Sequence, residues 1–274
     1  MKRNKKKLGL ALGSGGLRGF FHLGALKELE KNNIIPDFIA GSSMGAFVAA
    51  FYALFQDTDK IQKIMTKNKN ATLRSLIEPS FRSGGLIKGD LFLKRLKYWT
   101  KDLNFKHTKI PLKITSTDLV TGREFIFSKG SIALALRASM AFPTLFKPLI
   151  KGNQILADGG LTNPVPDDIV RKMGADVVLG VSLDSYKKNN DFSIKDLKIS
   201  KISRRSIEIL THALSHFSTV NSDIVIKKKI PVGAVDFNTL KSYFSRDDKW
   251  LKIIKMGEKE TQKHIARLKK ILSG

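Results

Sequence analysis

The chain has 274 residues, with 49 lysines and arginines against 24 aspartates and glutamates, five histidines and no cysteine. Without cysteine there is no disulfide framework, thiol nucleophile, iron–sulfur cluster or zinc–thiolate site, so a covalent nucleophile has to be serine, threonine, lysine or a carboxylate. The hydrophobic fraction of 42% is that of an ordinary globular protein with one large core. One α/β domain or two small domains both fit this length.

The formal net charge of +25 is distributed unevenly, since residues 186–274 carry 20 basic against 9 acidic side chains and five basic residues lie in the first seven. This excess supports binding to an anionic lipid surface or to nucleic acid, but it also fits a basic surface without a dedicated partner. No aromatic residues interleave with the basic runs, and no DNA-binding motif is present. Nucleic acid is therefore the least favoured partner, and peripheral contact with an anionic membrane is a hypothesis.

Two segments resemble targeting signals. The apolar run after the basic amino terminus, Leu8–Leu12, is shorter than the apolar region of a signal peptide. Residues 38–56 carry no charge, but the segment 41–45 interrupts them, which favours a strand and a helix over a membrane span. We expect a cytoplasmic protein without a signal peptide or transmembrane helix, and leave peripheral membrane association and non-classical secretion open.

Short apolar runs alternate with helical patterns along the chain, which predicts a mostly parallel sheet covered by helices. In chain order the predicted strands are 8–12, 37–40, 112–115, 124–127, 155–157 and 177–183. The predicted helices are 19–31, 44–55, 131–140 and 167–173, with a polar helical region at 58–108. Beyond an exposed lysine-rich loop at 186–203, apolar stripes over 207–224 and 254–272 predict two more helices, which we expect to face the core.

A glycine-rich loop, Gly13-Ser14-Gly15-Gly16-Leu17-Arg18-Gly19, joins the first strand to the first helix. Its backbone N–H groups and the unpaired donors of the helix N-terminus form a site for negative charge. A tight turn or a dinucleotide fingerprint is the alternative. Neither frame of the loop completes GxGxxG, and no acidic residue ends the second strand, so nucleotide binding is disfavoured.

The pentapeptide Gly41-Ser42-Ser43-Met44-Gly45 matches GxSxG between a predicted strand and a predicted helix. In this context it predicts a sharp elbow that exposes the central side chain, and the flanking glycines let the strand and helix approach closely. The frame selects Ser43 as the nucleophile. Ser42 is the neighbour from which Ser43 has to be distinguished experimentally.

A serine nucleophile needs a base, and the histidines offer few candidates. Four of them lie on predicted helices or in a basic loop, without a glycine loop to position them: His107, His212, His216 and His264. His22, one turn into the first helix, is expected to pack behind the glycine-rich loop. Asp158 of Asp158-Gly159-Gly160 follows a predicted strand, and although this tripeptide alone also fits a simple turn, a Ser–Asp pair is the better assignment.

Three motifs in this order resemble the oxyanion loop, nucleophile elbow and catalytic aspartate motif of patatin-like phospholipases: Gly15 to Gly19, GSSMG at 41–45 and DGG at 158–160. The likeness continues at 117–122, 137–139, 143, 148, 163–166, 174–176, 222–226 and 257–258. It covers nearly the whole chain. Ser14 departs from the family pattern, because most members have another glycine there.

The resemblance implies a three-layer α/β/α domain over 8–274, with a core at 8–185 and a basic helical extension at 186–274, after a basic tail at 1–7. It also implies hydrolysis of the acyl esters of lipids by a Ser43–Asp158 dyad through an acyl-enzyme, without metal or cofactor. A phospholipid or another acyl ester is the expected substrate. A patatin-fold protein that binds lipid or a regulatory partner without turnover is the alternative.

The resemblance further assigns roles to the glycines and to one arginine. The expected oxyanion hole comprises Gly15, Gly16, Arg18 and Gly19. Arg18 would add positive charge or hold the loop. The expected supporting glycines of the two other motifs are Gly41, Gly45, Gly159 and Gly160.

Overall fold

The computed structural model describes residues 6–67, 78–80, 84–183, 197–230 and 249–273. Within these ranges the protein has one sheet of eight strands: β1 (Leu8–Leu12), β2 (Phe38–Ser42), β3 (Leu112–Asp118), β4 (Arg123–Phe127), β5 (Leu149–Lys151), β6 (Gln154–Asp158), β7 (Val177–Ser182) and β8 (Ile224–Lys227). The order across the sheet is β5-β6-β3-β2-β1-β7-β8, and β4 pairs with β3 outside this path. Strands β3, β2, β1, β7 and β8 pair in parallel, whereas β4, β5 and β6 join by antiparallel pairings. The prediction of a mostly parallel sheet is confirmed.

Helices cover both faces of this sheet: α1 (Phe20–Lys31), α2 (Met44–Phe55), α3 (Thr58–Lys67), α4 (Asp90–Thr100), α5 (Ile132–Ser139), α6 (Asp167–Lys172), α7 (Ile199–Phe217) and α8 (Lys249–Ser273). Alternate residues of β1 mark the two faces. Leu10 and Leu12 join the main core with α1 and α2, whereas Ala11 packs in a smaller cluster with Ile169 and Val170 of α6. Strands buried on both faces are typical of a parallel sheet between helical layers, so the three-layer α/β/α prediction is confirmed.

Strand β3 determines where the ends of β2 and β6 lie. Strand β2 pairs with β3 up to Ser42, which lies opposite Thr115. Strand β6 pairs with the next part of β3, with Asp158 opposite Ser116. Strand β4 pairs with the opposite edge of this part of β3. Strands β2 and β6 therefore lie end to end along one edge of β3, and their carboxyl ends meet.

The carboxyl-terminal elements extend the sheet and cover it. Strand β8 pairs with β7, and α8 packs along α1. A Cβ on Gly24 of α1 would overlap the Ile254 carbonyl oxygen, and Gly257 of α8 is packed equally closely against α1, so only glycine permits this approach of the two helices. The apolar side of α8 is buried at Ile265 and Leu268, which confirms the prediction that it faces the core.

The prediction for the preceding helix was wrong in two respects. Helix α7 ends at Phe217, and Ile224 instead begins β8, because the β-branched run from Ile224 to Ile226 favours a strand beside β7. Its apolar side, expected to face the core, is exposed at Leu210 and Phe217. The loop predicted over 186–203 is helical from Ile199 onward, and its residues 186–196 lie outside the described part of the chain.

Other sequence expectations fall partly outside the described residues. Of the basic tail predicted at 1–7, residues 1–5 are outside them. The region predicted as helical at 58–108 contains α3 and α4, and its residues 68–77 and 81–83 also lie outside the described part of the chain. The uncharged run at 38–56 forms β2 and α2, as predicted. Among the described helices, none has the length and apolar character required to cross a membrane.

Candidate active site

Ser43 lies at the turn between β2 and α2. Its φ of 54° and ψ of −121° are rarely adopted by a residue with a side chain, and such backbone strain is typical of a nucleophile elbow. The N–H of Ser43 donates to Ser139 Oγ at 2.8 Å, which holds the turn. Gly41 lies in β2, and Gly45 is required in α2 because a Cβ there would overlap the Leu12 carbonyl oxygen of β1.

The Ser43 hydroxyl donates to Asp158 Oδ2 at 2.6 Å, although 115 positions separate the two residues. The end-to-end arrangement of β2 and β6 brings them together. Ser42 differs from Ser43 because it is fully buried, and within the described residues its hydroxyl has no hydrogen-bond partner. Ser43, and not Ser42, therefore contacts Asp158.

Asp158 is almost fully buried and held by its surroundings. Its Oδ1 accepts the Gly160 N–H at 2.8 Å, its own N–H donates to the Ala141 carbonyl, and its carbonyl accepts the Thr117 hydroxyl. Burial raises the pKa of the Asp158 carboxyl group to about 6, against the opposing effect of the hydrogen bonds from Ser43 and Gly160. The carboxylate is therefore a stronger base than an exposed aspartate and is ionised at neutral pH.

The turn after Asp158 requires small residues. Gly159 begins a 3-10 turn, Gly159–Leu161, and a Cβ on Gly160 would lie 2.8 Å from Ser14 Oγ and 3.1 Å from Asp158 Oδ1. A side chain at Gly160 would therefore push Asp158 away from the glycine-rich loop. Ser14, the departure from the family pattern, lies against this turn.

The glycine-rich loop ends in a 3-10 turn, Gly16–Gly19, beside the start of α2. Gly16 has a φ of 54°, a conformation that glycine adopts without strain. A Cβ on Gly19 would overlap the Met44 side chain, so Gly19 allows the loop to lie next to the elbow. The loop and Ser43 are thus neighbours in the fold.

The N–H groups of this loop fall into two sets. Those of Ser14 and Arg18 donate within the protein, to the carbonyls of Pro164 at 2.8 Å and of Gly15 at 3.1 Å. In the part of the chain that the structure describes, the N–H groups of Gly15 and Gly16 donate to no protein acceptor. The Nε of Arg18 also donates to the Gly15 carbonyl, at 3.1 Å, so this side chain holds the loop.

His22 lies fully buried in α1, and its Nε2 is 2.7 Å from the Gly13 carbonyl oxygen. Since a carbonyl only accepts hydrogen bonds, Nε2 carries the proton in this contact. Burial lowers the pKa of the His22 imidazole to about 4, so the ring is neutral at neutral pH. The prediction that His22 packs behind the glycine-rich loop is confirmed.

Comparison with known proteins identifies the family of this chain. The family model described as patatin-like phospholipase matches residues 10–170, a range that contains the glycine-rich loop, Ser43 and Asp158. The chain belongs to the patatin-like phospholipase family.

Patatin-like relatives match this chain over about two thirds of its length. An uncharacterised NTE family protein of Mycobacterium tuberculosis is 32% identical over 178 residues, which are 65% of this chain and 49% of that protein. Patatin-like phospholipase domain-containing protein 6 of Homo sapiens is 28% identical over 188 residues, which are 67% of this chain and 14% of that protein. The chain therefore spans less than half the length of either relative.

A solved structure shows the same patatin-like fold. The crystal structure of VipD from Legionella pneumophila matches with a TM-score of 0.57 at 13% identity, and the match covers 96% of this chain and 67% of that chain. At this identity the likeness concerns the fold alone.

Two residues on α5 of this patatin-like domain make contacts that the sequence does not predict, and one of them contacts Ser43. Ser139 accepts the N–H of Ser43, and Arg137, two residues earlier on α5, is buried and donates to the carbonyls of Gly89 and Lys147. The sequence indicates these two residues only through the family motif at 137–139. The motif does not show which residues they contact.

Proposed function

We propose that this chain hydrolyses the acyl esters of lipids, as a phospholipase A, a lysophospholipase or a carboxylesterase. The observation that carries the proposal is the 2.6 Å hydrogen bond from the Ser43 hydroxyl to the buried carboxylate of Asp158 at a strained turn. Membership of the patatin-like phospholipase family supports lipid as the source of the ester.

In the first step, Ser43 Oγ attacks the carbonyl carbon of the ester while Asp158 accepts the hydroxyl proton. Negative charge develops on the carbonyl oxygen, and the N–H groups of Gly15 and Gly16, which have no acceptor among the described residues, are the donors suited to receive it. Such a donor contributes roughly 3 to 4 kcal/mol to transition-state stabilisation. Collapse of the intermediate breaks the ester C–O bond, and the leaving alcohol takes the proton from Asp158.

In the second step, Asp158 accepts a proton from water, which attacks the acyl group bound to Ser43. The new tetrahedral intermediate uses the same donors. Its collapse releases the fatty acid and returns the proton to Ser43 Oγ. Asp158 is thus a base in the first half of each step and an acid in the second half, which suits a pKa of about 6.

The test is fatty-acid release by the purified protein from vesicles of phosphatidylcholine, from lysophosphatidylcholine and from monoacylglycerol. In parallel, a fluorophosphonate probe should label one serine, and peptide mass spectrometry should locate the label on Ser43. If neither release nor labelling occurs, the alternative of a lipid-binding protein without turnover replaces this proposal.

The rate of hydrolysis should depend on pH through Asp158. Because only the ionised carboxylate accepts a proton, kcat/KM for a soluble short-chain ester should rise with pH to a midpoint near 6 and then level off. Below this midpoint we expect a fall of roughly tenfold for each pH unit. A midpoint near 4 would contradict the assigned effect of burial.

His22 should act as a positioning residue through the Gly13 carbonyl. The change His22→Phe retains a ring but leaves that carbonyl without its donor, so we expect kcat to fall by roughly ten- to a hundredfold, because misplacing catalytic groups by about 1 Å has effects of this size. KM and the pH midpoint near 6 should remain unchanged. His22→Gln, which retains a donor, should recover part of kcat. Loss of thermal stability without a change in kcat would show that the histidine is only structural.

A further inference from the structure

The outer side of α7 is apolar and exposed. Its exposed apolar residues recur three or seven positions apart, apart from the neighbours Ile209 and Leu210, and so lie on one side of the helix: Ile199, Ile202, Ile209, Leu210 and Phe217, followed by Val220 just beyond its end. In a surface helix of a globular protein this stripe normally faces the core. An exposed contiguous apolar stripe indicates a binding surface instead.

The inner side of α7 lies next to the candidate active site. The helix contacts the turn Gly159–Leu161, which directly follows the base Asp158. Just beyond the end of the helix, Ser218 Oγ accepts the Val165 N–H at 3.3 Å. The apolar stripe is therefore carried by an element attached to the catalytic edge of the sheet.

A second group of exposed apolar side chains lies at this edge. Leu119 and Val120 follow the carboxyl end of β3, and Ile150 of β5 pairs with Ile155 of β6. The Leu119 N–H donates to the Ile155 carbonyl, which joins the two parts. Apolar surface is thus exposed both on α7 and at the far end of the β3–β6 pairing, three residues along β6 from Asp158.

We propose that the α7 stripe docks the protein onto an anionic lipid bilayer. An amphipathic helix lies in a bilayer interface with its apolar side at the acyl boundary and its cations near the headgroup phosphates. The first half of α7 carries three cations, Lys201, Arg204 and Arg205, against one acidic residue, Glu208, with which both arginines pair, so this part of the helix has a net positive charge. The chain charge of +25 adds long-range attraction to anionic lipid.

Other occupants fit these observations less well. A second copy of the chain carries the same charge of +25, so self-association through α7 has to overcome repulsion between the copies. Nucleic acid would use the cations but leave Leu210 and Phe217 exposed to water. A bilayer accommodates both the apolar stripe and the positive charge of the chain. The docking proposal rests on the proposed function only in that the bilayer would supply the substrate.

Vesicle co-sedimentation of the full chain tests the proposal. The wild type should pellet with vesicles of equal parts phosphatidylglycerol and phosphatidylcholine, weakly with phosphatidylcholine alone, and less when salt rises from about 0.05 to 0.5 M. The variant Leu210→Gln/Phe217→Gln should lose roughly tenfold or more in binding to the anionic vesicles, because two apolar side chains no longer enter the interface.

A matched control removes apolar side chains elsewhere. Ile35 and Tyr98 are 55% and 71% exposed, comparable with 69% and 73% for Leu210 and Phe217. The variant Ile35→Gln/Tyr98→Gln should bind vesicles like the wild type. Both variants should hydrolyse a soluble short-chain ester at the wild-type rate. If the wild type is inactive, the proposed function is contradicted, but vesicle binding still tests the docking proposal.

Three outcomes would overturn docking by this stripe. The first is wild-type vesicle binding by Leu210→Gln/Phe217→Gln, and the second is an equal loss in the control. The third is wild-type self-association in sedimentation velocity that only the α7 variant abolishes, since this would make the stripe an interface between copies. Equal binding to neutral vesicles would overturn the role of lipid charge.

Discussion

Ser43→Ala should abolish ester hydrolysis, with kcat/KM falling by about 10⁴-fold or more, which is the effect of removing the nucleophile from other serine hydrolases. Alanine retains the Cβ and the strained backbone of the elbow but cannot form an acyl-enzyme. We expect no release of fatty acid and no fluorophosphonate labelling. The thermal unfolding midpoint should change little, because the lost hydroxyl is only partly buried.

Ser42→Ala is the matched control for this change. The Ser42 hydroxyl is buried without a hydrogen-bond partner in the described part of the chain, so its removal breaks no observed contact. The rate of ester hydrolysis by Ser42→Ala should stay within about threefold of the wild-type rate, since no catalytic group is displaced. Full activity in Ser43→Ala, or its loss in Ser42→Ala alone, would show that the frame of the motif was assigned incorrectly.

Asp158→Asn should lower kcat/KM by roughly 10³- to 10⁴-fold, because the amide cannot accept the proton of Ser43. The same change should stabilise the fold at neutral pH. Burial raises the pKa of Asp158 from 3.8 to about 6, and this corresponds to a cost of about 3 kcal/mol for keeping the carboxylate ionised in the folded state. The cost is absent below pH 4 and complete above pH 6, so the gain from asparagine should grow across that range.

Chemical unfolding of both proteins at pH 4 and pH 8, together with ester hydrolysis, measures these two effects. Asp118→Asn provides a control at a second buried carboxylate, which accepts hydrogen bonds from Val120, Thr121 and Ile155 but does not touch Ser43. It should destabilise the fold by about 1 to 2 kcal/mol, because an amide cannot replace all these acceptors. An Asp158→Asn protein that is active, or that is less stable at pH 8, would contradict the role of this residue as a buried base.

The parts of the site that depend on local sequence could be predicted. Strand β1, the glycine-rich loop and the elbow at Ser43 each follow from a short pattern of apolar and glycine residues. The contact between Ser43 and Asp158 depends instead on how β2 and β6 share an edge of β3, which no local pattern encodes. The prediction that Asp158 pairs with Ser43 rests on the exclusion of the histidines and on the resemblance to the family.

The availability of backbone donors is also decided by distant parts of the chain. The N–H groups of Gly13 and Ser14 are paired with the carbonyls of Val181 and Pro164. A sequence pattern shows that a loop is rich in N–H groups but does not show which of them remain unpaired. The oxyanion hole at Gly15, Gly16, Arg18 and Gly19 therefore stays a prediction.

The error at α7 has a similar physical origin. The spacing of Leu210 and Phe217 correctly predicts an amphipathic helix, and periodicity identifies which side is apolar. It does not specify whether that side meets the core, another molecule or solvent. Only the packing of α7 against the turn after Asp158 shows that the stripe points outward.

The end-to-end arrangement of β2 and β6 also links catalytic competence to the order of synthesis. A nascent chain that ends at β3 already contains the elbow and the glycine-rich loop, but it lacks Asp158, which reaches Ser43 only when β6 pairs with β3. Separation of β5 and β6 from the edge of the finished sheet would likewise remove Asp158 and leave Ser43 in place. Under the proposed mechanism, incomplete or partly unfolded forms of this protein would be inactive, and hydrolysis would report closure of the sheet.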